Sequence, residues 1–192
     1  MSDWLDLRPP WRCRARVTIS VAMVLTAACV LGGSEYASAQ SADGDTALHQ
    51  AAHRGDVVSL QRELDQGVDA NTTNRFGVTP LALATRSGHA AVVQALLKSG
   101  ADPNHASPAG ETPLMIAART GVVDSVVSLL EHGADPLARE SWMGQTALMW
   151  AAAERHAGVV PALVSGGAEV DGRTDAGFTP LMFAARLGHV ET

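Results

Sequence analysis

Apolar and polar positions alternate along residues 44–192 in blocks that recur. In the stretch Gly110 to Met143, Leu114, Ile116, Ala117 and Ala118 fall at helical spacing, then Gly121 interrupts. Val123, Val126, Val127, Leu129 and Leu130 make a second apolar stripe at the same spacing, and Gly133 interrupts again. Stripes of period 3.6 predict two amphipathic helices, each closed by a glycine able to take the left-handed conformation. Thr112 suits the N-cap of the first helix, because its hydroxyl accepts an orphan amide of the opening turn, and Pro113 suits the first helical position. Pro136 and the polar run to Gly144 predict an extended hairpin or turn leading to the next helix pair.

The block repeats. Threonine followed by proline or alanine stands at Thr46, Thr79, Thr112, Thr146 and Thr179, in steps of 33, 33, 34 and 33 residues. A fixed period of that size predicts a stacked repeat array, here divided into units 44–76, 77–109, 110–143 and 144–176, with a partial unit 177–192. The first unit draws its core from His49, Ala51, Ala52, Val57, Val58, Leu60 and Leu64. Gln50 stands where later units have Leu83, Ile116, Trp150 and Phe183, which suits a unit covering an open end.

The fourth unit departs from its neighbours in three ways. Arg155 replaces the glycine of Gly55, Gly88 and Gly121, Pro161 falls inside the second helical stripe, and an extra residue lies within Arg139 to Met143. The proline predicts a late-starting or kinked helix, since it lacks the N–H an interior position needs. The partial unit leaves Leu181, Phe183, Ala184 and Leu187 without a second layer, and this mid-unit stop suggests a fragment.

The unit pattern TPL, AA, G, VV, LL, GAD resembles the ankyrin repeat family over residues 44–192. The resemblance implies an all-α solenoid of helix-turn-helix units with projecting hairpin loops. It also implies that the histidine of the family's TPLH motif, here kept at His49 and replaced by Ala82, Met115, Met149 and Met182, ties adjacent loops. Partners of the family dock on the concave face made by loop tips and inner helices. Carried over position by position, that face comprises Arg75, Phe76, Val78, Arg86, Ser87, Ala109, Glu111, Arg119, Thr120, Trp142, Met143, Gln145, Glu154 and Phe178. Trp142, Met143, Phe76 and Arg119 are the strongest anchors, since aromatic, methionine and arginine side chains are enriched at interface centres. The alternative for Trp142 is that its indole folds back on its own unit. Trp150 and Phe183, at an inner-helix position, are expected in the core.

Ahead of the repeats, Arg8, Arg12, Arg14 and Arg16 precede an apolar run from Val17 to Leu31 and then Ala37-Ser38-Ala39. That order predicts a secretory signal peptide over residues 1–39, cut after Ala39 so that Gln40 begins the mature chain in the periplasm or outside the cell. The alternative is an uncleaved anchor in the inner membrane through residues 17–33. A lipoprotein reading at Cys29 is disfavoured by Thr26, and no twin-arginine pair is present. Both cysteines, Cys13 and Cys29, lie in the leader, so the mature chain holds no disulfide or thiol chemistry.

Removing residues 1–39 leaves 10 basic and 17 acidic side chains, a net charge of −7. Such a surface disfavours nucleic acid and anionic membrane as partners. The seven histidines are dispersed through the repeats without zinc-like spacing. Asp43 with Asp45, and Asp171 with Asp175, lack an EF-hand pattern. No HExxH motif, phosphate loop or nucleophile elbow occurs. The expectation is therefore a monomeric, non-enzymatic protein-binding module with no cofactor. A second expectation is that the repeats target a longer secreted enzyme, toxin or effector extending past Thr192.

Overall fold

A computed structural model describes residues 44–186. The expectations for residues 1–39, including the cleavage site at Ala37, Ala39 and Gln40 and the anchor at residues 17–33, lie outside the described residues, as does Leu187. The described chain forms α1 (Ala47–Arg54), α2 (Val57–Asp65), α3 (Pro80–Arg86), α4 (Ala90–Lys98), α5 (Pro113–Thr120), α6 (Val123–Glu131), α7 (Ala147–Ala153), α8 (Val160–Ser165) and α9 (Pro180–Arg186). No strand occurs among the described residues. The odd-numbered helices stack one on the next as an inner layer, and α2, α4, α6 and α8 stack behind them as an outer layer.

The repeated threonine starts the inner helices as expected. Thr46, Thr79 and Thr112 accept the amides of His49, Ala82 and Met115 at 3.4, 3.3 and 3.4 Å. Thr146 has the same extended backbone but makes no such bond. Leu48, Leu81, Leu114 and Leu148 occupy one repeat position on the inner helices, and all four are buried. Alanines such as Ala51, Ala84, Ala117 and Ala151 are buried beside them, and their small side chains let successive inner helices approach closely.

The outer helices bury a narrower stripe than the apolar pattern suggested. Leu60, Val93, Val126 and Leu129 are buried, whereas Val57, Val58, Val123 and Val127 are exposed, Val58 to 71%. An outer helix meets the inner layer along one side only, so apolar residues on its far side have nothing to pack against. The buried stripe of α6 even includes Ser125 and Ser128, which the apolar count could not select. At α2 the start is held by Asp56, whose carboxylate accepts the Ser59 amide at 3.0 Å. Hydrogen bonds from the Ser59 side chain and amide, in that order, hold the Asp56 carboxyl below its ordinary pKa.

The irregular fourth unit behaves as its residues dictate. A 3-10 turn at Ala157–Val159 precedes α8, which places Pro161 in the opening turn where its missing N–H costs no helical bond. Arg155 has φ +66°, the left-handed backbone that Gly55, Gly88 and Gly121 adopt at the same position. A non-glycine residue there costs about 1–2 kcal/mol, against which glycine carries roughly 0.5–1 kcal/mol of extra chain entropy. Arg155→Gly is therefore expected to raise the unfolding free energy by about 1 kcal/mol. A urea denaturation midpoint no higher than that of the parent protein would contradict this.

At the far end, Leu181 is exposed and Phe183 half-buried, as expected, but Ala184 is buried. Ala184 repeats the place of Ala151, and α9 packs against α7.

Candidate functional site

Each hairpin between units is closed by a backbone bond: Asn74 to Val78, Ser107 to Glu111, Glu140 to Gln145 and Thr174 to Phe178, with N to O distances of 2.9–3.1 Å. The closing residue also turns its side chain into the loop as an acceptor. Asn74 Oδ1 takes the amides of Phe76 and Val78, each at 3.0 Å. Ser107 Oγ takes the Glu111 amide and Thr174 Oγ1 the Phe178 amide. Glu140 closes the hairpin that is one residue longer, and its carboxylate takes three amides, those of Trp142 at 2.6 Å, Met143 at 2.7 Å and Gln145 at 3.0 Å. The carboxylate has two oxygens and the reach that a larger loop requires, and Glu140 is only 6% exposed.

The hairpins are tied to each other as well as closed. Ser141 donates its amide to the Ala109 carbonyl, and Asp175 donates to the Met143 carbonyl. Arg139 Nη2 lies 2.9 Å from Asp175 Oδ1. In the first interval His49, fully buried, makes the tie instead: its Nε2 lies 3.0 Å from the Val78 carbonyl oxygen. A carbonyl oxygen only accepts, so Nε2 carries the proton and Nδ1 is left to accept from Thr46. Where Ala82, Met115 and Met149 replace this histidine, they are buried apolar residues. A second histidine position ties units at the helix ends, with His89 Nε2 donating to the His53 carbonyl at 3.2 Å and His156 Nε2 to the Arg119 carbonyl at 2.9 Å.

On this frame the hairpin tips project side chains. Trp142 is 70% exposed, so its indole does not fold back on its own unit, and Phe76 is 54% exposed beneath the Arg75 guanidinium, which sits 4.6 Å from the ring centroid. The inner helices supply a connected row across three units. Arg86 Nη2 lies 3.7 Å from Glu111 Oε2, Arg119 Nη1 lies 3.4 Å from Glu111 Oε1, and the Arg119 guanidinium covers the Trp150 ring at 4.7 Å. Met143 and Phe178 come together with Met182, Phe183 and Arg186 around a hollow of about 380 Å³.

The positions inferred from resemblance thus separate into groups. Arg86, Glu111 and Arg119 meet; Met143 and Phe178 meet elsewhere; Arg75 and Phe76 form their own tip. Val78 and Gln145 are half-buried at hairpin bases, where they serve the closing bonds, and Glu154 is half-buried at the end of α7. Trp150 was expected in the core, yet it is half-buried and forms the floor beneath Arg119. Phe183 likewise lines the hollow with Met182. Glu140 was missed entirely. The signal for it was its register with Asn74 and Ser107, which only becomes visible once the extra loop residue is placed after it.

No group of three His, Cys, Asp or Glu side chains among the described residues is disposed to hold a metal ion. Asp45 accepts from Asn74 Nδ2 at 2.8 Å and Asp175 pairs with Arg139, so these acids serve the hairpins.

Helix pairs of fixed period, stacked in two layers with exposed hairpin tips along one edge, define a repeat protein of the solenoid type. A family model described as ankyrin repeats, three copies, matches residues 24–107, 48–140, 99–174 and 138–192, and the chain belongs to the ankyrin repeat family. Ankyrin repeats are in general protein–protein interaction modules. No individual curated protein matches the chain.

Proposed function

We propose that this protein is an exported, non-enzymatic scaffold that binds another protein through its hairpin tips and inner-helix face. The observation that carries this reading is the exposure of Trp142 and Phe76 at the tips of ordered hairpins. Large aromatic surface held in water by three amide bonds at Glu140 and two at Asn74 is prearranged for contact, and prearrangement lowers the ordering cost of association. Export is supported by the arginine-rich, apolar and small-residue order of residues 1–39.

The test has two parts. Intact mass of the protein recovered from the periplasm of an expressing bacterium, with stoichiometric co-purifying proteins identified, examines export and supplies the partner; a mass retaining residues 1–39 in the membrane fraction would replace export with anchoring. The Trp142→Ala, Phe76→Ala double variant is then expected to weaken capture of that partner, by about 2 kcal/mol for each residue that acts as a hot spot. Undiminished capture by a folded double variant would remove this face from the proposal.

A further inference from the structure

The charges of this chain are segregated by layer. In the outer-helix stretches 56–73, 89–106, 122–139 and 156–173 there are ten acidic and four basic side chains. In the hairpin and inner-helix stretches 44–55, 74–88, 107–121, 140–155 and 174–186 there are five acidic and six basic. Of those five acids, Glu140 is buried with its oxygens committed to the hairpin amides. A protein that is acidic elsewhere therefore presents a balanced to basic inner face, with its arginines at ordered positions.

Glu111 shows what that face can hold. Its two oxygens are shared between Arg86 and Arg119, which approach from neighbouring inner helices at 3.7 and 3.4 Å. Each guanidinium carries five N–H donors, and the distances show that Glu111 uses them loosely: the shorter contact is a long hydrogen bond and the longer one an ion pair only. Half-exposed pairs of this kind are weak, so a carboxylate brought by a partner competes with Glu111 or adds to it. The ring of Trp150 under Arg119 offers apolar surface beside the charges.

Resting on the docking face proposed above, we infer that Arg86 and Arg119 form a carboxylate clamp, that Glu111 occupies it in the free protein, and that the partner segment it receives is acidic with interleaved apolar side chains. The inference gives Glu111 and the two arginines opposite effects on binding, although they belong to one ion-pair network. A merely structural network would give all three the same sign.

The probe is a fluorescein-labelled peptide of alternating Glu and Leu, compared with Gln/Leu and Lys/Leu peptides of equal length, by anisotropy at low and physiological salt. The Glu/Leu peptide is expected to bind with an affinity that falls as salt rises, and the other two to bind about tenfold more weakly or not at all. Arg86→Gln and Arg119→Gln should each lower Glu/Leu affinity about tenfold, whereas Glu111→Gln should raise it about threefold. Equal binding of the Gln/Leu peptide, absence of Glu/Leu binding, or weakening by Glu111→Gln would each overturn the inference. If the arginine variants capture the cellular partner undiminished while Trp142→Ala, Phe76→Ala does not, the clamp fails and the docking face stands; if both sets capture it undiminished, the face itself fails.

Discussion

Replacing Glu140 with alanine is expected to lower the unfolding free energy by about 3 kcal/mol, the largest effect of any single hairpin substitution in this protein. The carboxylate is 6% exposed and accepts three backbone amides within 3.0 Å. Hydrogen bonds to a charged group contribute about 1.5–3 kcal/mol, and amides left unsatisfied in a buried place cost about 1–3 kcal/mol each. The full sum is not reached, because the emptied loop admits water to some of these amides. Glu140→Gln should lie between the parent and the alanine variant, since it keeps one acceptor oxygen while turning an amide group toward the remaining donors. Urea denaturation measures the stability, and a loss in Glu140→Ala under about 1 kcal/mol would mean that the amides find other partners. The hairpin carries Trp142 and Met143, so the same variant should also loosen the tip, read as faster exchange of the Trp142, Met143 and Gln145 amides.

Gly121→Ala is expected to be nearly as costly, at about 3 kcal/mol, for two reasons that add. Gly121 ends α5 at φ +75°, where a Cβ costs about 1–2 kcal/mol. An added Cβ would also run into the imidazole of His156, which lies against the glycine and donates to the Arg119 carbonyl at 2.9 Å. Moving the ring breaks that bond, a further loss of about 1 kcal/mol. Gly88→Ala separates the two causes: its φ is +77°, but the nearest neighbour of a new Cβ is the Val122 side chain at 3.6 Å, an ordinary contact. The Gly88 variant should therefore retain about 1 kcal/mol more stability than the Gly121 variant. Equal losses in thermal or urea unfolding would show that the histidine bond contributes nothing. Because His156 holds the carbonyl of Arg119, only the Gly121 change is expected to disturb the Arg119–Trp150 contact as well.

Much of this architecture was legible in the chain because the repeat writes it several times. Threonine before proline, glycine at a helix end and the leucine of each inner helix recur at one spacing, so local preference and burial agree unit after unit. Pro161 was readable for the same reason, since a missing N–H has one consequence in any helix. The outer helices were misread at Val57, Val58, Val123 and Val127, because a valine reports apolarity but not which side of its helix meets a neighbour.

The docking face was less legible. Arg86, Glu111 and Arg119 were each marked by repeat position, but nothing in their spacing says that one carboxylate is shared between two arginines. Trp150 followed Leu83 and Ile116 in register and was expected in the core, yet of the three only Ile116 is buried; Leu83 and Trp150 are half-buried, and the Trp150 ring lies under Arg119.

By itself, then, the amino-acid sequence determined the period, the helix pairs, their caps and the family, since these depend on interactions between residues a few positions apart that repeat from unit to unit. Only the tertiary structure decided which side chains meet. Glu140 gathers three amides because an extra residue widens its hairpin, and Glu111 lies between two arginines because stacking brings neighbouring helices side by side. Such contacts depend on distance and direction across units, which spacing along the chain does not encode.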